Sequence, residues 1–355
     1  MFCRRSDLPG NLRHGRRGQR GAAMVVAMLV FAMAAVLVVA MKSDFLRFYQ
    51  RSSNVLFAEQ AHAYLRGAEE LAALVLIQDD DTDAQLPDPR DDRTEIWAQQ
   101  PQPFPLDQGG MMTALPLEDL QGRFNLNSLS IPGQAPPKGS EARATPFTPA
   151  QKQFIRLLQT FEEPQISEYD AKIITRSVID WLDTDSSTSP DGAEDDVYGS
   201  RSPAYRAANG PMASVSELRA VANITPEIFA ALAPLVTVWP QDPLNFPINI
   251  HTAKPEVLRS LNAEGDLTPL SDTDAEALVE VRDSVGFQDA EDFWKQPAFS
   301  GKEGIASTKN LVGERSSHFL LVATVTLADK NTHLYSVLKR ENRQVTALVR
   351  AGGSL

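Results

Sequence analysis

The sequence predicts an α+β protein in which a long N-terminal helix packs on a small antiparallel sheet, with a large all-α domain inserted before the C-terminal strands. Three observations predict this class. A proline-free helical stretch, 42–78, continues directly from a 20-residue apolar run, 22–41. Most helical patterns lie in the middle of the chain, and three β-rich runs lie within its last forty residues. Three such strands need a surface to cover their apolar face, and the N-terminal helix can provide it.

The distribution of charge at the N-terminus predicts a single membrane-spanning helix. Residues 1–21 contain six arginines and one acidic residue, Asp7, whereas residues 22–41 carry no charge. Twenty apolar residues rise about 30 Å as a helix, which matches the hydrocarbon core of a bilayer. Arginines before the span predict a cytoplasmic N-terminus. We therefore expect most of the chain to lie on the far side of the membrane.

The junction before the apolar run resembles the leader of type IV pilin-like proteins. In R-R-G-Q-R-G|A-A-M-V-V, Gly21 stands between the basic segment and the apolar helix. Prepilin peptidases cleave after such a glycine, which would make Ala22 the new, N-methylated terminus. A plain signal anchor fits the length but gives Gly21 no role. A secretory signal has a shorter apolar region of about 7–15 residues, and Arg4-Arg5 lacks most of a twin-arginine motif.

The remaining pattern divides the chain into segments. Residues 1–21 are the leader and 22–41 the transmembrane or assembly helix; 42–129 begin the α/β domain, 130–315 form the inserted helical domain and 316–355 supply the completing strands. Within 42–129 we expect the helix to end in a solvated acidic run, 79–83, before a proline-rich loop anchored by Ile96 and Trp97. Helical patterns follow at 151–161, 167–182, 214–221, 226–235, 255–261, 272–283 and 289–294, and strand patterns at 319–327, 332–339 and 343–350.

Composition excludes several classes of function. The net charge is −12, and removal of a leader with net charge +5 leaves −17, which disfavours nonspecific binding to nucleic acid or anionic lipid. The only cysteine, Cys3, lies in the leader, so a mature chain has neither disulfides nor thiolate zinc sites. The motifs H-E-x-x-H, G-x-S-x-G, G-x-G-x-x-G and the P-loop are all absent from the sequence. We predict a protein that is not an enzyme.

A dense acidic cluster is the strongest candidate for a functional site. Seven carboxylates occupy seventeen positions without an intervening Lys, Arg or His: Asp180, Asp183, Asp185, Asp191, Glu194, Asp195 and Asp196. Such a cluster repels itself unless it spreads into solvent or surrounds a cation, and hard oxygen ligands favour Ca²⁺.

The spacing of the cluster is close to that of an EF-hand but does not match it. Counted from Asp183, the acids at positions 1, 3, 9 and 12 follow the EF-hand order, but Thr188 replaces the required glycine and Pro190 follows. Another kind of calcium-clamped loop and a disordered acidic turn both remain possible. Trp181 and Tyr198 flank the cluster and favour a loop that is tied into a core.

The strings around this cluster resemble the minor pseudopilin K family of the bacterial type II secretion system. They are V-I-D-W-L-D-T-D, D-G-A-E-D-D-V-Y, P-A-Y-R-A-A-N-G-P and S-V-S-E-L-R-A-V, with P-I-N-I-H-T-A-K-P-E-V-L-R-S-L and G-F-Q-D-A-E-D-F further on. The resemblance implies a pilin-like α/β domain with an inserted helical domain. It also implies Ca²⁺ held by Asp183, Asp185, Asp191, Glu194 and Asp195, with Asp180 and Asp196 as further candidates.

The same resemblance implies a nonenzymatic subunit at the tip of a periplasmic pseudopilus, which helps to initiate assembly and protein export across the outer membrane. The expected partners are the minor pseudopilins I and J, the major pseudopilin below them, and the prepilin peptidase. The protein would span the inner membrane once. Most pilin-like subunits carry Glu at mature position 5, but this chain has Val26. A subunit without that carboxylate cannot neutralise the N-terminal amine of a subunit above it, which fits a terminal position.

An alternative function comes from the helical region. I-N-I-H-T-A-x-x-E-V-L and A-x-x-L-V-E-V-R-D-S-V-G-F resemble the helix-hairpin-helix modules of DNA-uptake proteins. Those modules bind phosphate through backbone N–H groups and nearby cations. The connection 262–274 contains four acidic residues and neither Lys nor Arg, which favours a scaffold for protein contacts without nucleic acid.

Overall fold

The computed structural model describes residues 20–100, 103–114, 116–131, 147–244, 246–327 and 330–353. Most of the predicted leader, most of the proline-rich linker and residues 328–329 of the predicted hairpin turn lie outside the described residues. The chain divides into two compact units, one ending at Gln60 and the other beginning at Ala61.

The unit that ends at Gln60 is described by helix α1, which runs Arg20–Asp83. Side chains from 21 to 41 are all exposed. Within the described ranges, α1 is the one helix long and apolar enough to cross a membrane, judged by length and composition. The predicted span 22–41 lies inside it.

The second unit contains an antiparallel sheet, whose strands are β1 Phe104–Pro105, β2 Met111–Thr113, β3 Glu118–Asp119, β8 His318–Leu327, β9 Lys330–Glu341 and β10 Gln344–Ala351. Their order is β1-β2-β8-β9-β10, with the short strand β3 also paired to β8. The three long C-terminal strands confirm the predicted meander.

The second half of α1 covers one face of this sheet. Its buried positions Ala61, Leu65, Ala68, Ala72 and Leu76 recur every three or four residues, so they share one helix face. Alternate residues of β8 meet that face, and the shared core contains Phe319, Leu321, Ala323, Val325 and Leu327. The predicted packing of the N-terminal helix on the C-terminal strands is confirmed within this unit.

A second core belongs to the inserted helical domain. Two parallel strand pairs, β4–β5 and β6–β7, tie its segments together. Its elements are β4 Phe124–Asn125, α2 Pro149–Leu158, α3 Glu168–Leu182, α4 Asp195–Gly199, α5 Pro226–Leu232, β5 Val236–Thr237, β6 Ile248–Asn249, α6 Pro255–Arg259, α7 Asp272–Ser284, α8 Ala290–Trp294 and β7 Val312–Gly313. The segment predicted as a helix at 214–221 is a short 3₁₀ helix, Val215–Arg219, with the capping box Ser214/Glu217.

The helical domain begins earlier in the chain than the predicted boundary at residue 130. Phe124, Leu126 and Leu129 are buried in the second core, and Phe124 stacks on Phe154 of α2 with ring centroids 5.4 Å apart. Alternating apolar residues fit either core equally well in the sequence. The change from one core to the other falls between Leu117 and Phe124.

A buried arginine joins three distant segments of the second unit. Arg340 of β9 is 5 % exposed, donates to Asp79 of α1 at 2.8 Å and contacts Asp91, which is fully buried. It also donates to the carbonyl oxygen of Ser316 at 2.9 Å. The guanidinium lies 5.1 Å from the ring centre of Phe319. Helix α1, the loop after it and the sheet are therefore held by one cation.

The network extends into the inserted domain through Asp119. Its buried carboxylate accepts hydrogen bonds from Ser316 Oγ at 2.6 Å, Thr252 Oγ1 at 2.5 Å and Asn249 Nδ2 at 3.1 Å. Asn249 Nδ2 also donates to the carbonyl oxygen of Asp91 at 2.9 Å. These contacts join the helical domain to the sheet at β6 and at the start of β8.

The predicted solvated acidic run, 79–83, is wrong in part. α1 continues to Asp83, and both Asp79 and Asp83 are buried. Asp80 pairs with Arg315 at 2.9 Å, and Asp81 pairs with Arg343 at 2.7 Å. Arginines from the C-terminal part of the chain neutralise the run, so the charges do not prevent the helix from continuing through it. Trp97 is buried as predicted, whereas Ile96 is 49 % exposed.

We expect Arg340→Met to lower the free energy of unfolding by about 3–5 kcal/mol, because Asp79 and Asp91 would remain buried without their cation. Chemical denaturation of residues 43–355 measures this. Arg343→Met is the matched control: its pair with Asp81 is 69 % and 42 % exposed and is expected to cost less than about 1 kcal/mol. Equal losses in both variants would contradict the structural role of Arg340.

Burial also shifts the pKa values of groups near this network. It raises the pKa of Glu95 to about 8, helped by the nearby carboxylate of Asp79, and raises that of Asp79 and Asp119 to about 6 each. Burial lowers the pKa of His251 and His318 to about 4. The acids bind more protons in the folded state than in the unfolded state, so their contribution to stability falls as pH rises. The histidines bind fewer protons in the folded state, so their contribution rises with pH up to about pH 6.5.

Between pH 6.5 and 8, Glu95 is therefore expected to dominate, and the free energy of unfolding should fall as pH rises. The slope should stay below about 1.4 kcal/mol per pH unit, because a single carboxyl binds at most one proton, and solvent screening of the half-buried Glu95 lowers it further. Glu95→Gln cannot ionise but still accepts a bond from Trp97 Nε1, so its thermal melting should vary less over this range. Exposed Glu303→Gln serves as the control; parallel slopes for Glu95→Gln and the wild type would refute the assignment.

Candidate functional site

The acidic loop connects α3 to α4 in the inserted domain. Ser167 caps the start of α3 by accepting from the Asp170 N–H at 3.1 Å, and Asp183 is the last residue bonded to the helix. The loop therefore comprises 183–194 and ends at Glu194, directly before α4. Both flanks are fixed by regular structure.

Aromatic side chains tie the two flanks of the loop to the core. Trp181 and Tyr198 are buried, and their ring centroids lie 5.2 Å apart in an edge-to-face arrangement. The Tyr198 hydroxyl accepts from the Ala222 N–H at 3.2 Å. The predicted anchoring of the loop by these two residues is confirmed.

The Asp180 side chain, near the end of α3, fixes the path of the acidic loop. Its side chain is fully buried, and Oδ2 accepts from the Ser189 N–H at 3.2 Å. A Cβ atom on Gly192 would lie 2.0 Å from this oxygen, so only glycine allows the loop to approach the carboxylate. Asp180 thus holds the loop against α3, and burial raises its pKa.

Glu194 is a buried carboxylate without a hydrogen-bond partner. It is 2 % exposed, and neither oxygen accepts a bond of normal geometry, although the Asp195 N–H lies near. Burial is the main reason that its pKa is raised, and Asp180, Asp183 and Asp195 add repulsion. A buried carboxylate of this kind is costly unless a cation accompanies it.

Asn209 contributes a second buried oxygen without a hydrogen-bond partner, which sequence reasoning missed. Its Nδ2 donates to the carbonyl oxygen of Asp185 at 3.0 Å, so the amide lies beside the loop. Its Oδ1 is buried and has no partner. The residue has a φ of 46°, which Asn tolerates better than most residues. The only signal in the sequence is the turn string N-G-P, which carries no hint of a ligand.

The other predicted ligands occupy two different environments. Burial is the main reason that the pKa of Asp183 is raised, and the nearby charges of Asp185 and Asp180 add to it. Asp180 and Asp183 also help to raise the pKa of Glu194, so these carboxylates lie near one another. Asp191 instead pairs with Arg176 at 3.0 Å.

The remaining carboxylates accept hydrogen bonds from backbone N–H groups. Asp185 accepts from the Ser187 N–H at 2.7 Å, Asp195 from the Ala207 N–H at 3.0 Å, and Asp196 from the Val197 N–H at 2.9 Å.

The loop offers the donor chemistry of a calcium site. Its side-chain donors are oxygens, with two buried and unpartnered groups at Glu194 and Asn209, and this set suits a hard cation. Within the described ranges, no three predicted ligands have carboxylate oxygens that all lie within 4.8 Å of one another. The residues fit Ca²⁺ by type and by the unpartnered oxygens, and an ion would have to draw them closer together.

One carboxylate group does meet that spacing, but it lies in the ionic network. Oxygens of Asp79, Asp91 and Glu95 are within 4.8 Å of one another. Arg340 already contacts two of these three carboxylates, so the protein supplies the cation itself.

The predicted processing and assembly residues lie in α1. Gly21 and Ala22 are in its first turn, and Val26 is 60 % exposed. The helix pair of the DNA-binding alternative is α6 and α7, where Arg259 is already bonded to Asp272 at 2.5 Å and to the Leu270 carbonyl oxygen at 3.0 Å.

The long N-terminal helix, the antiparallel sheet that its second half covers, and the helical domain inserted between the strands define a pilin-type subunit with an inserted domain. Family models described as type II secretion system protein K match residues 122–241 and 248–314. The chain is 32 % identical to the type II secretion system protein K of Pseudomonas aeruginosa, over 92 % of this chain and 90 % of that protein. It is 30 % identical to the Klebsiella pneumoniae protein, over 94 % and 97 %.

The fold is also similar to a solved chain. A crystal structure of the GspK-GspI-GspJ complex from the type 2 secretion system of enterotoxigenic Escherichia coli matches with a TM-score of 0.69 and 27 % identity. The match covers 86 % of this chain and all of that one. The chain belongs to the type II secretion system protein K family.

Proposed function

We propose that this chain is a nonenzymatic minor pseudopilin at the tip of a type II secretion pseudopilus, where it helps to initiate assembly and supports protein export across the outer membrane. The observation that carries this proposal is a pilin-type helix and sheet interrupted by a helical domain with its own core. The solved chain with the same fold was crystallised in a GspK-GspI-GspJ complex. We therefore take minor pseudopilins I and J as its partners, with the major pseudopilin below them.

Two features support the terminal position. Val26 replaces the carboxylate that most pilin-like subunits carry, so this subunit offers no counter-charge to the amine of a subunit above it. The helical domain adds a second core beside the sheet, and such bulk obstructs the lateral packing of repeated subunits but not a free end.

The N-terminal helix supports storage of the subunit in the inner membrane before assembly. The uncharged part of α1 follows an arginine-rich segment, which favours a cytoplasmic N-terminus and a periplasmic bulk. Prepilin peptidase would cut between Gly21 and Ala22 and leave a methylated Ala22.

Coexpression of the full-length chain with minor pseudopilins I and J and prepilin peptidase tests this proposal. Native mass spectrometry should find a complex with one copy of each subunit, and N-terminal sequencing of this chain should begin at Ala22. Gly21→Leu is expected to block cleavage, whereas Gly18→Leu in the same basic segment should not.

The position is tested by immunogold labelling of pseudopili with antibodies against the helical domain, where we expect label at one end only. Label along the fibre, or a chain that is recovered without I and J, would refute the proposal.

We further propose that the acidic loop binds Ca²⁺. The ligands would come from Glu194, Asp183, Asp185, Asp191 and Asp195, with Asp180 and Asp196 as further candidates and Asn209 Oδ1 as an added donor. The ion would supply the positive charge that Glu194 lacks and clamp the loop between α3 and α4. Asp191 would exchange its bond to Arg176 for the ion.

Thermal melting of residues 43–355 with Ca²⁺ and with chelator tests this site. Calcium at a hundredfold excess over its dissociation constant should add about 2.7 kcal/mol of stability. Glu194→Gln keeps the size of the side chain but removes the buried charge, so it should abolish most of this gain and raise the melting temperature in chelator. Asp242→Asn, an exposed acid outside the loop, should leave the calcium response unchanged. An unchanged melting temperature on calcium removal would contradict the proposal.

A further inference from the structure

A groove in the helical domain lies apart from the acidic loop. It has a volume of about 680 Å³, within the range of roughly 300–1,000 Å³ that is usual for binding sites. Its walls are formed by residues 160–163, which follow α2, by the end of α5 and the turn after it, by α6 and by the first half of α7.

The floor of the groove is apolar. Phe161, Leu235 and Ala275 line it and are 8 %, 4 % and 2 % exposed, and Phe161 and Leu235 belong to the second core. Ala231 and Val279 extend this surface and are half-buried. An aliphatic side chain placed on this floor would lose its contact with water at little conformational cost to the protein.

The rim of the groove is acidic. Five carboxylates line it, from Glu162, Glu163, Glu256, Asp272 and Glu276.

The two cations in the lining are already bonded within the protein. Lys254 Nζ donates to the Pro234 carbonyl oxygen at 3.0 Å, and Arg259 pairs with Asp272. Four glutamates of the rim have no ion pair among the described residues, so the groove presents negative charge around an apolar floor.

We propose that this groove docks an extended basic segment of a partner polypeptide, in which lysines or arginines flank an aliphatic side chain. The cations would meet the rim glutamates while the aliphatic side chain contacts Phe161 and Leu235. Charge complementarity selects this occupant, because an acidic peptide or a nucleic acid would be repelled by the same rim. Neither core of the pseudopilin fold needs the groove to be occupied, so the groove is an additional surface for contact with a partner.

The test uses the full-length chain in nanodiscs of zwitterionic lipid and the fluorescein-labelled peptide G-K-L-K-L-K-G. We expect saturable binding that weakens with salt, and at least tenfold weaker binding to the double variant Glu256→Gln/Glu276→Gln. The control Asp242→Asn/Glu303→Gln removes the same charge from exposed sites outside the groove and should bind like the wild type. Melting temperatures of both double variants confirm that each is folded.

Four outcomes would overturn the proposal. Equal weakening in both double variants would mean general attraction to an acidic protein. Equal affinity for G-K-G-K-G-K-G would mean that the apolar floor takes no part, and displacement by spermidine at equal concentration would mean a site for small cations. Absence of saturable binding would also refute it, and none of these outcomes bears on the tip position.

Discussion

The contact of Arg340 with Asp79 and Asp91 is the constraint on which the arrangement of the second unit depends. It brings together α1, the loop after it and a strand more than 240 residues later. A buried ion pair contributes little net stability compared with apolar packing, but loss of one partner leaves an uncompensated buried charge. The bond from Arg340 to the Ser316 carbonyl oxygen extends the constraint to the point where the chain returns from the helical domain. The network therefore fixes where a large insertion leaves and rejoins the sheet.

The Arg340 network fixes the junction without the acidic loop. The helical domain can therefore hold a buried group that lowers its stability. Glu194 is buried without a partner, and its neighbours add negative charge. A protein keeps such a group when the surrounding structure over-determines it, and the anchors here are Asp180 below the loop and the rings of Trp181 and Tyr198 beside it. The cost of burying the Glu194 carboxylate is confined to the acidic loop, where a bound cation would reduce it. The packing of α1 on the sheet does not depend on it.

The sequence predicted elements that local patterns determine and missed those that distant partners determine. The long helix, the C-terminal strands and most helices follow from periodicity and capping residues. The run 79–83 looks self-repelling because its arginine partners, Arg315, Arg340 and Arg343, lie far away in the chain. Asn209 was missed for the same reason: only the folded chain brings its oxygen beside Asp185. The acidic cluster itself was visible, but not which of its carboxylates would be left unpartnered.

Acidic residues of this chain thus occur in three environments that composition alone cannot separate. In the junction, arginines neutralise Asp79 and Asp91, and Glu95 stays largely protonated near neutral pH because burial and the nearby Asp79 carboxylate raise its pKa. In the loop, one carboxylate is buried without any counter-charge. At the groove, four glutamates stand around an apolar floor in contact with water. Each arrangement is balanced differently: the junction carries its own cation, whereas we propose that a bound ion supplies the charge in the loop and that a partner brings both charge and an apolar side chain to the groove.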